Sequence, residues 1–416
     1  MPEFLRLQPP KEALDLLLTH LEDRLQAELV ETDQALGRIT AAKILAPHSL
    51  PTFARSTVDG YAVRAADTYG ASESLPAYIK VAGEVLMGMA PEFQVEKSAC
   101  ALIHTGGMLP EGSDAVVMLE HTQLVQAHEV EILRSVAEGE NVLQAGEDVV
   151  IGQEVIPKGT ILRPAEIGGL AALGITQVKV RRKPRVAIIS TGDEILPIGA
   201  SLEPGKVRDV NTYTLSALVK RAGGEAVSLG IVPDLVEALE LKVYQALQTC
   251  DMVVITAGSS ASARDLTAQV INQLGKPGVL VHGVNVRPGK PTILAACALP
   301  GQPAKAVIGL PGNPVSAFVI AGLFVVPVVK ALQGISADQY KPTVKACLTL
   351  NLPSESGRED WVPVRLSLGS SGWEAEPVFG KSNLIFTLSR ADGLVCIPPD
   401  ATGLGIGEMV EVILLE

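Results

Sequence analysis

Four short segments collect the residues best able to do chemistry, and each follows an apolar run. After RVAIIS comes Thr191-Gly192-Asp193-Glu194, a hydroxyl and two carboxylates around a glycine. It reads equally as a ligand loop or as a helix N-cap whose acids favour the helix dipole. After DMVVIT comes Ala257-Gly258-Ser259-Ser260-Ala261-Ser262-Ala263-Arg264-Asp265. Its small residues let backbone N–H groups approach an anion, and its hydroxyls add donors; the plain alternative is a turn capped by Asp265. After VLVHGVNV, Arg287 and Lys290 flank a Pro-Gly turn, a pattern suited to phosphate or carboxylate. After KAVIGL, Pro311-Gly312-Asn313-Pro314-Val315-Ser316 opens a helix. Pro314 fits its first turn, where a missing N–H costs nothing, and the free N–H groups behind it suit an anion.

Strands and helices must alternate to place these loops together. Residues 185–330 do alternate, with helices expected at Thr212–Ala222, Leu235–Gln248, Leu266–Leu274 and Pro314–Leu332. Continuous apolar strands of this kind suit a parallel sheet covered on both faces. The expected domain is therefore doubly wound α/β, with ligands outside the carboxyl ends of its strands. Residues 10–46 read as helices, first PKEALDLLLTHL and then ETDQALGRITAAKIL. Residues 52–180 carry short β-rich runs with Gly and Pro between them, and one short helix in ILRPAEIGGLAALGI. Residues 340–416 return to β character as a small barrel or sandwich, with a short helix in KSNLIFTLSRAD. The fold class is thus multidomain α/β plus all-β. The expected boundaries are 1–50 with 145–180 (linker and dimerisation), 51–144 (an inserted β domain), 181–332 (central α/β) and 333–416 (a C-terminal β-barrel-like domain).

The net charge of −12 argues against nucleic acid as a partner. Its distribution is uneven. Residues 181–332 hold 15 basic and 10 acidic residues, against 13 and 25 in residues 1–180. A basic middle segment in an acidic chain suits a small anionic ligand. The five cysteines are far apart and sit mostly in apolar runs, which suits reduced core thiols. The longest uninterrupted apolar candidate, Ala317 to Val329, contains Pro327 and is shorter than a membrane helix needs, so no membrane is expected. The first residues carry acids and prolines and not a basic head with an apolar stretch, so the expected location is cytoplasmic.

These segments, taken in order with others, resemble the molybdopterin molybdenumtransferase family, the MoeA type related to the E domain of gephyrin. The resemblance also rests on LPTFARSTVDGYAVRAADT (50–68), IHTGGMLPEGSDAVVMLE (103–120), AGEDVVIGQEVIPKGTIL (145–162), Val232-Pro233-Asp234 and GKSNLIF (380–386). It implies a homodimer that inserts molybdenum from molybdate into the dithiolene of adenylated molybdopterin and releases AMP. Molybdopterin adenylyltransferase is an implied upstream partner. The implied catalytic residues are Asp59, Thr105, Asp148, Glu194 and Asp265, with Asp59 acting across the dimer interface. Thr191, Gly192, Asp234, Gly258, Ser259, Ser260, Arg287, Lys290, Pro311, Gly312, Asn313, Pro314, Ser316 and Ser382 would hold the pterin nucleotide. Acids beside anionic substrates call for a cation, so Mg2+ is expected on Glu194, Asp265 and Asp193. The chain departs from the family at Ala257–Ser262, where the usual loop is Gly-Gly-x-Ser-x-Gly. A molybdopterin carrier without turnover and a tungstate-preferring enzyme are the alternatives.

Overall fold

The computed structural model describes residues 7–21, 25–126, 128–257, 261–335 and 342–415, with only the backbone described for 261–265. The chain divides into two compact units, one of residues 29–180 and one of residues 1–28 with 181–416.

The second unit is built on a six-stranded sheet. Its strands are β1 (Arg185–Thr191), β2 (Glu225–Val232), β3 (Met252–Ala257), β4 (Lys276–His282), β5 (Ile293–Ala298) and β6 (Lys305–Pro311). Their order is β2-β1-β3-β6-β5-β4. Side chains alternate between the faces of a strand, so each apolar run feeds two cores. Val186, Ile188, Met252, Val254, Ala306 and Ile308 face one layer; Ala187, Ile189, Val253, Ile255 and Val307 face the other. Helices Asn211–Arg221 and Pro314–Ile320 cover the first face, and helices Val236–Thr249 and Ala261–Leu274 the second. Each fully buried Ile or Leu stabilises by about 1.5–3 kcal/mol. Arg182 anchors the start of β1 with a two-pronged ion pair to Asp251, at 2.6 and 2.7 Å.

One expectation about this sheet needs correcting. Strands β2, β1, β3, β6 and β4 share one direction, and β5 runs antiparallel to its neighbours β6 and β4. Apolar runs buried on both faces look alike in either direction, so the pattern carried no sign of the reversal. The helical run from Pro314 continues through a π-turn (Ala321–Val325) to Leu332. At 19 residues it is long and apolar enough to cross a membrane by composition. Here Phe324, Val325, Val328 and Val329 are wholly buried against the sheet. Helix Pro10–Thr19 joins the same core through Ala13 and Leu17.

In the C-terminal part of this unit, strands Glu359–Gly369, Gly372–Pro377, Thr343–Leu348, Met409–Leu414 and Gly393–Ile397 pair in that order, and the last returns to the first. The result is a closed five-stranded barrel around Leu348, Val364, Val395, Ile397 and Val412. The KSNLIF segment leads into a single helical turn, Phe386–Ser389.

The other unit carries a six-stranded sheet in which Gly60–Val63 lies between Ala99–Ile103 and Ala115–Met118. A smaller core packs Ala35, Ile156, Leu162, Leu170 and Val178 under helix Pro164–Ala172. The helix expected over ETDQALGRITAAKIL is absent. Ala27–Glu31 is a strand paired with Gln177–Arg181, and Ile44–Leu45 pairs with Glu154–Ile156. Long-range pairing there outweighs a weak helical periodicity. Among the described residues, Cys100, Cys250 and Cys297 are buried free thiols, and Cys347 and Cys396 are half-buried.

Candidate active site

Register sets the positions of the site loops. Thr191 pairs with Val232, Ser190 with Thr256, and Ala257 with Pro311, so β1, β2, β3 and β6 end on one edge. Two antiparallel steps bring β4 back to the direction of β6, and its following loop leaves on that edge too. The described parts of all four chemically rich segments therefore share an edge.

At the end of β1 the chain turns through Gly192, whose φ of +146° is a conformation side chains rarely adopt. A Cβ there would lie 2.6 Å from Glu194 Oε2, so glycine lets the Glu194 carboxylate fold back over the turn. Asp193 Oδ1 accepts from the Asp234 backbone N–H at 3.4 Å, which joins the turn to the end of β2. Burial first, and then the charges of Asp193 and Glu194, push the Asp234 carboxyl above its ordinary value, while a Thr191 hydrogen bond partly offsets this. Among the described residues, no three His, Cys, Asp or Glu side chains form a metal-binding group.

A cleft of about 620 Å³ opens beside these acids. Ser190, Thr191 and Thr256 line it from the strand ends, and Gly312, Asn313 and Pro314 from the end of β6. Ser190 and Thr212 hydroxyls lie 2.9 Å apart, and Thr256 donates to Ser190 at 3.2 Å. Asn313 Nδ2 donates to Ser382 Oγ at 3.1 Å, and the Val315 N–H donates to the Ser382 carbonyl at 3.0 Å. Those two bonds seat the KSN segment on the Gly312–Pro314 turn and bring Asn383 and Ile385 into the lining. Pro311 and Ser316 are buried and do not line the cleft. A second cleft, of about 600 Å³, lies in the other unit. Its ionisable lining, Glu111, Asp114 and Glu138, is acidic and unsuited to an anion.

Two cations expected to face the ligand lie elsewhere. Arg287 contacts the buried Asp360 of the barrel at 3.5 Å because Val286–Arg287 pairs with Glu359–Asp360. Lys290 is exposed, and neither residue lines the cleft. Gly258, Ser259 and Ser260 lie outside the described residues, as does the side chain of Asp265.

In the other unit, Asp59 precedes strand Gly60–Val63 and Thr105 follows strand Ala99–Ile103. Antiparallel pairing of Gly60 with Ile103 brings them together. Asp59 Oδ1 accepts from the Thr105 N–H at 2.7 Å and from its hydroxyl at 3.0 Å. The backbone bond chiefly, then the hydroxyl, with His104 adding attraction, hold the Asp59 carboxyl below its ordinary value. Asp148 is exposed in the turn whose Val149 bridges Leu50, and no described bond links it to Asp59 or Thr105.

Three stretches match known family regions: residues 8–174 the MoeA N-terminal region (domains I and II), 187–331 the probable molybdopterin binding domain, and 345–415 the MoeA C-terminal region (domain IV). A Nostoc sp. protein named molybdopterin molybdenumtransferase is 34% identical over 401 residues, covering 96% of this chain and 91% of its own. One of the same name from Haemophilus influenzae is 32% identical, covering 92% and 95%. The chain belongs to the molybdopterin molybdenumtransferase family. A crystal structure of the molybdopterin biosynthesis MoeA protein from Pyrococcus horikoshii OT3 matches with a TM-score of 0.85 and 32% identity, over 98% of this chain and 100% of that one.

In this molybdopterin molybdenumtransferase fold, one wall of the cleft comes from residues that sequence reasoning passed over: Lys206, Arg208, Asp209 and Asn211. Lys206 Nζ reaches the Asp193 carbonyl at 2.6 Å, and Asp209 Oδ1 takes the Thr212 N–H at 3.0 Å. Their signal was the polar run GKVRDVN just before a helix, with Asp209 placed to cap it.

Proposed function

We propose that this chain inserts molybdenum from molybdate into the dithiolene of adenylated molybdopterin, releasing AMP, and that it requires magnesium. The observation that carries this reading is the cleft at the strand edge. It places carboxylates, two cations and a helix N-terminus around a volume that suits a small molecule. Lys206 and Arg208 suit phosphate oxygens. The apolar flanks of Ile195, Pro314 and Ile385 suit a flat ring.

Glu194 and Asp193 on the turn after β1, and Asp234 after β2, are the candidate carboxylates for a magnesium ion. Burial first, and then the charges of Asp193 and Glu194, raise the Asp234 carboxyl, and a divalent cation would offset the charge part. Mg2+ needs only one or two carboxylates beside phosphate oxygens and water. Asp265 is a further candidate. Bound magnesium would offset phosphate charge. Lys206 holds the Asp193 turn through its backbone carbonyl, and the Gly192 conformation holds Glu194. Asp59, Thr105 and Asp148 belong to the same proposal, as do the homodimer, a cytoplasmic location and delivery of the nucleotide by molybdopterin adenylyltransferase.

Purified protein incubated with adenylated molybdopterin, Mg2+ and molybdate should release AMP, read by chromatography, and chelation should stop it. Tight binding of the pterin nucleotide without AMP release would refute turnover and support the carrier reading. Substituting tungstate for molybdate tests the oxyanion preference.

A further inference from the structure

Asn211 opens helix Asn211–Arg221 on the wall of the cleft and is 9% exposed. Its Nδ2 donates to the Gly312 carbonyl at 2.8 Å. That bond fixes the amide, because a flip would set two carbonyl oxygens against each other. Oδ1 is then a buried acceptor with no donor. Buried polar atoms are nearly always paired, so an orphan calls for an explanation. The other orphans among the described residues, Ser354 Oγ and Thr387 Oγ1, do not line the cleft.

The surroundings state what is missing. Thr256 and Ser190 spend their hydroxyls within the chain Thr256–Ser190–Thr212. Asp209, the next polar side chain along the wall, is also an acceptor. Here the wall therefore presents two acceptors, Asn211 Oδ1 and the Asp209 carboxylate, while Lys206 and Arg208 supply positive charge. Beside it, Val210 and Pro314 present apolar surface that suits a ring.

We infer that Asn211 is a positioning residue whose Oδ1 accepts a hydrogen bond from the exocyclic amino group of a bound heterocycle. The same side chain ties that heterocycle to the Gly312–Pro314 turn through the Gly312 carbonyl. The inference rests on the reading of this cleft as the pterin-nucleotide site. Both the pterin and the adenine of such a ligand carry an exocyclic amino group, and the experiment separates them.

Binding of two probe pairs to the full-length protein with Mg2+ is measured by calorimetry. One pair is AMP and inosine monophosphate, the other 6-hydroxymethylpterin and 6-hydroxymethyllumazine. In each pair the second member lacks the amino group. The wild type should prefer the amino member of one pair by about tenfold, and that pair identifies the ring. Asn211→Leu should bring the ratio close to one. General damage to the fold would weaken both members alike and leave their ratio unchanged. Equal binding within both pairs by the wild type overturns the assignment without needing any variant to fold. So does an unchanged ratio in Asn211→Leu. If no probe binds the wild type, the reading of the cleft falls, and the inference with it.

Discussion

Replacing Gly192 by alanine tests whether backbone geometry holds the acidic turn. At φ +146°, an L-residue sits in a region populated almost only by glycine, at a cost of about 1–3 kcal/mol. The added Cβ would also stand 2.6 Å from Glu194 Oε2 and 2.9 Å from Ile195 Cγ1. The carboxylate must move, because the turn itself is fixed by the Ile195 N–H bond to the Gly192 carbonyl at 3.1 Å. At about 2–4 °C per kcal/mol for a unit of this size, Tm should fall by roughly 2–12 °C. AMP release should fall at least tenfold (~1.4 kcal/mol). Gly301→Ala is the control. Its φ is +73° and nothing lies within 4 Å of the new Cβ, so it adds backbone strain of about 1–2 kcal/mol far from the acids. It should lower Tm and leave activity intact. If Gly192→Ala matches Gly301→Ala in both measurements, Glu194 is not held by this glycine and the reasoning fails.

Further expectations concern charge. The Asp234 carboxyl is raised, so its proton favours the folded state at low pH, and that advantage disappears as pH rises through its folded value. Asp234→Asn should therefore gain stability relative to wild type between pH 4 and pH 7 in urea titrations, and added Mg2+ should narrow the gap; parallel curves would contradict this. Mg2+ should also raise the Tm of the wild type more than that of Glu194→Gln. For Asp251, burial pushes the carboxyl up, but the Arg182 fork, the Arg185 N–H and Lys305 outweigh it and the net shift is downward. Its contribution is present above the unfolded value and lost as pH falls through the folded one. Asp251→Ala should cost about 3 kcal/mol at pH 7 and much less near pH 2. Thr105→Val should move the Asp59 carboxyl back up toward its ordinary value, read by carbon NMR titration, because it removes the hydroxyl donor.

Much of the architecture was legible because its signals are local. Helices expected at Thr212–Ala222 and Leu235–Gln248 appear as Asn211–Arg221 and Val236–Thr249, each within a residue or so. Pro314 and the apolar run behind it marked the long helix. The acidic, Gly-rich and Pro-rich loops stood out by composition, and strand alternation was enough to set them on one edge. The stretch 31–45 was misread because its helical spacing is weak and its partners lie more than a hundred residues away, at 154–156 and 177–181. The direction of β5 was equally invisible, since a run such as Ile293–Ala298 is apolar in either sense.

By itself, then, the sequence determined the alternation of elements in the central domain, the residue types in the loops at the strand ends, and the family. Tertiary structure alone decided which of those residues share a cleft. Arg287 pairs with the barrel and leaves the cleft, while Lys206, Arg208 and Asn211 enter it. Pairing of Ser382 with Asn313 across 69 positions seats the last segment of the cleft lining. Periodicity and capping depend on neighbours a few residues apart. The convergence of side chains depends on strand register and on close approach between distant segments, which no local pattern records.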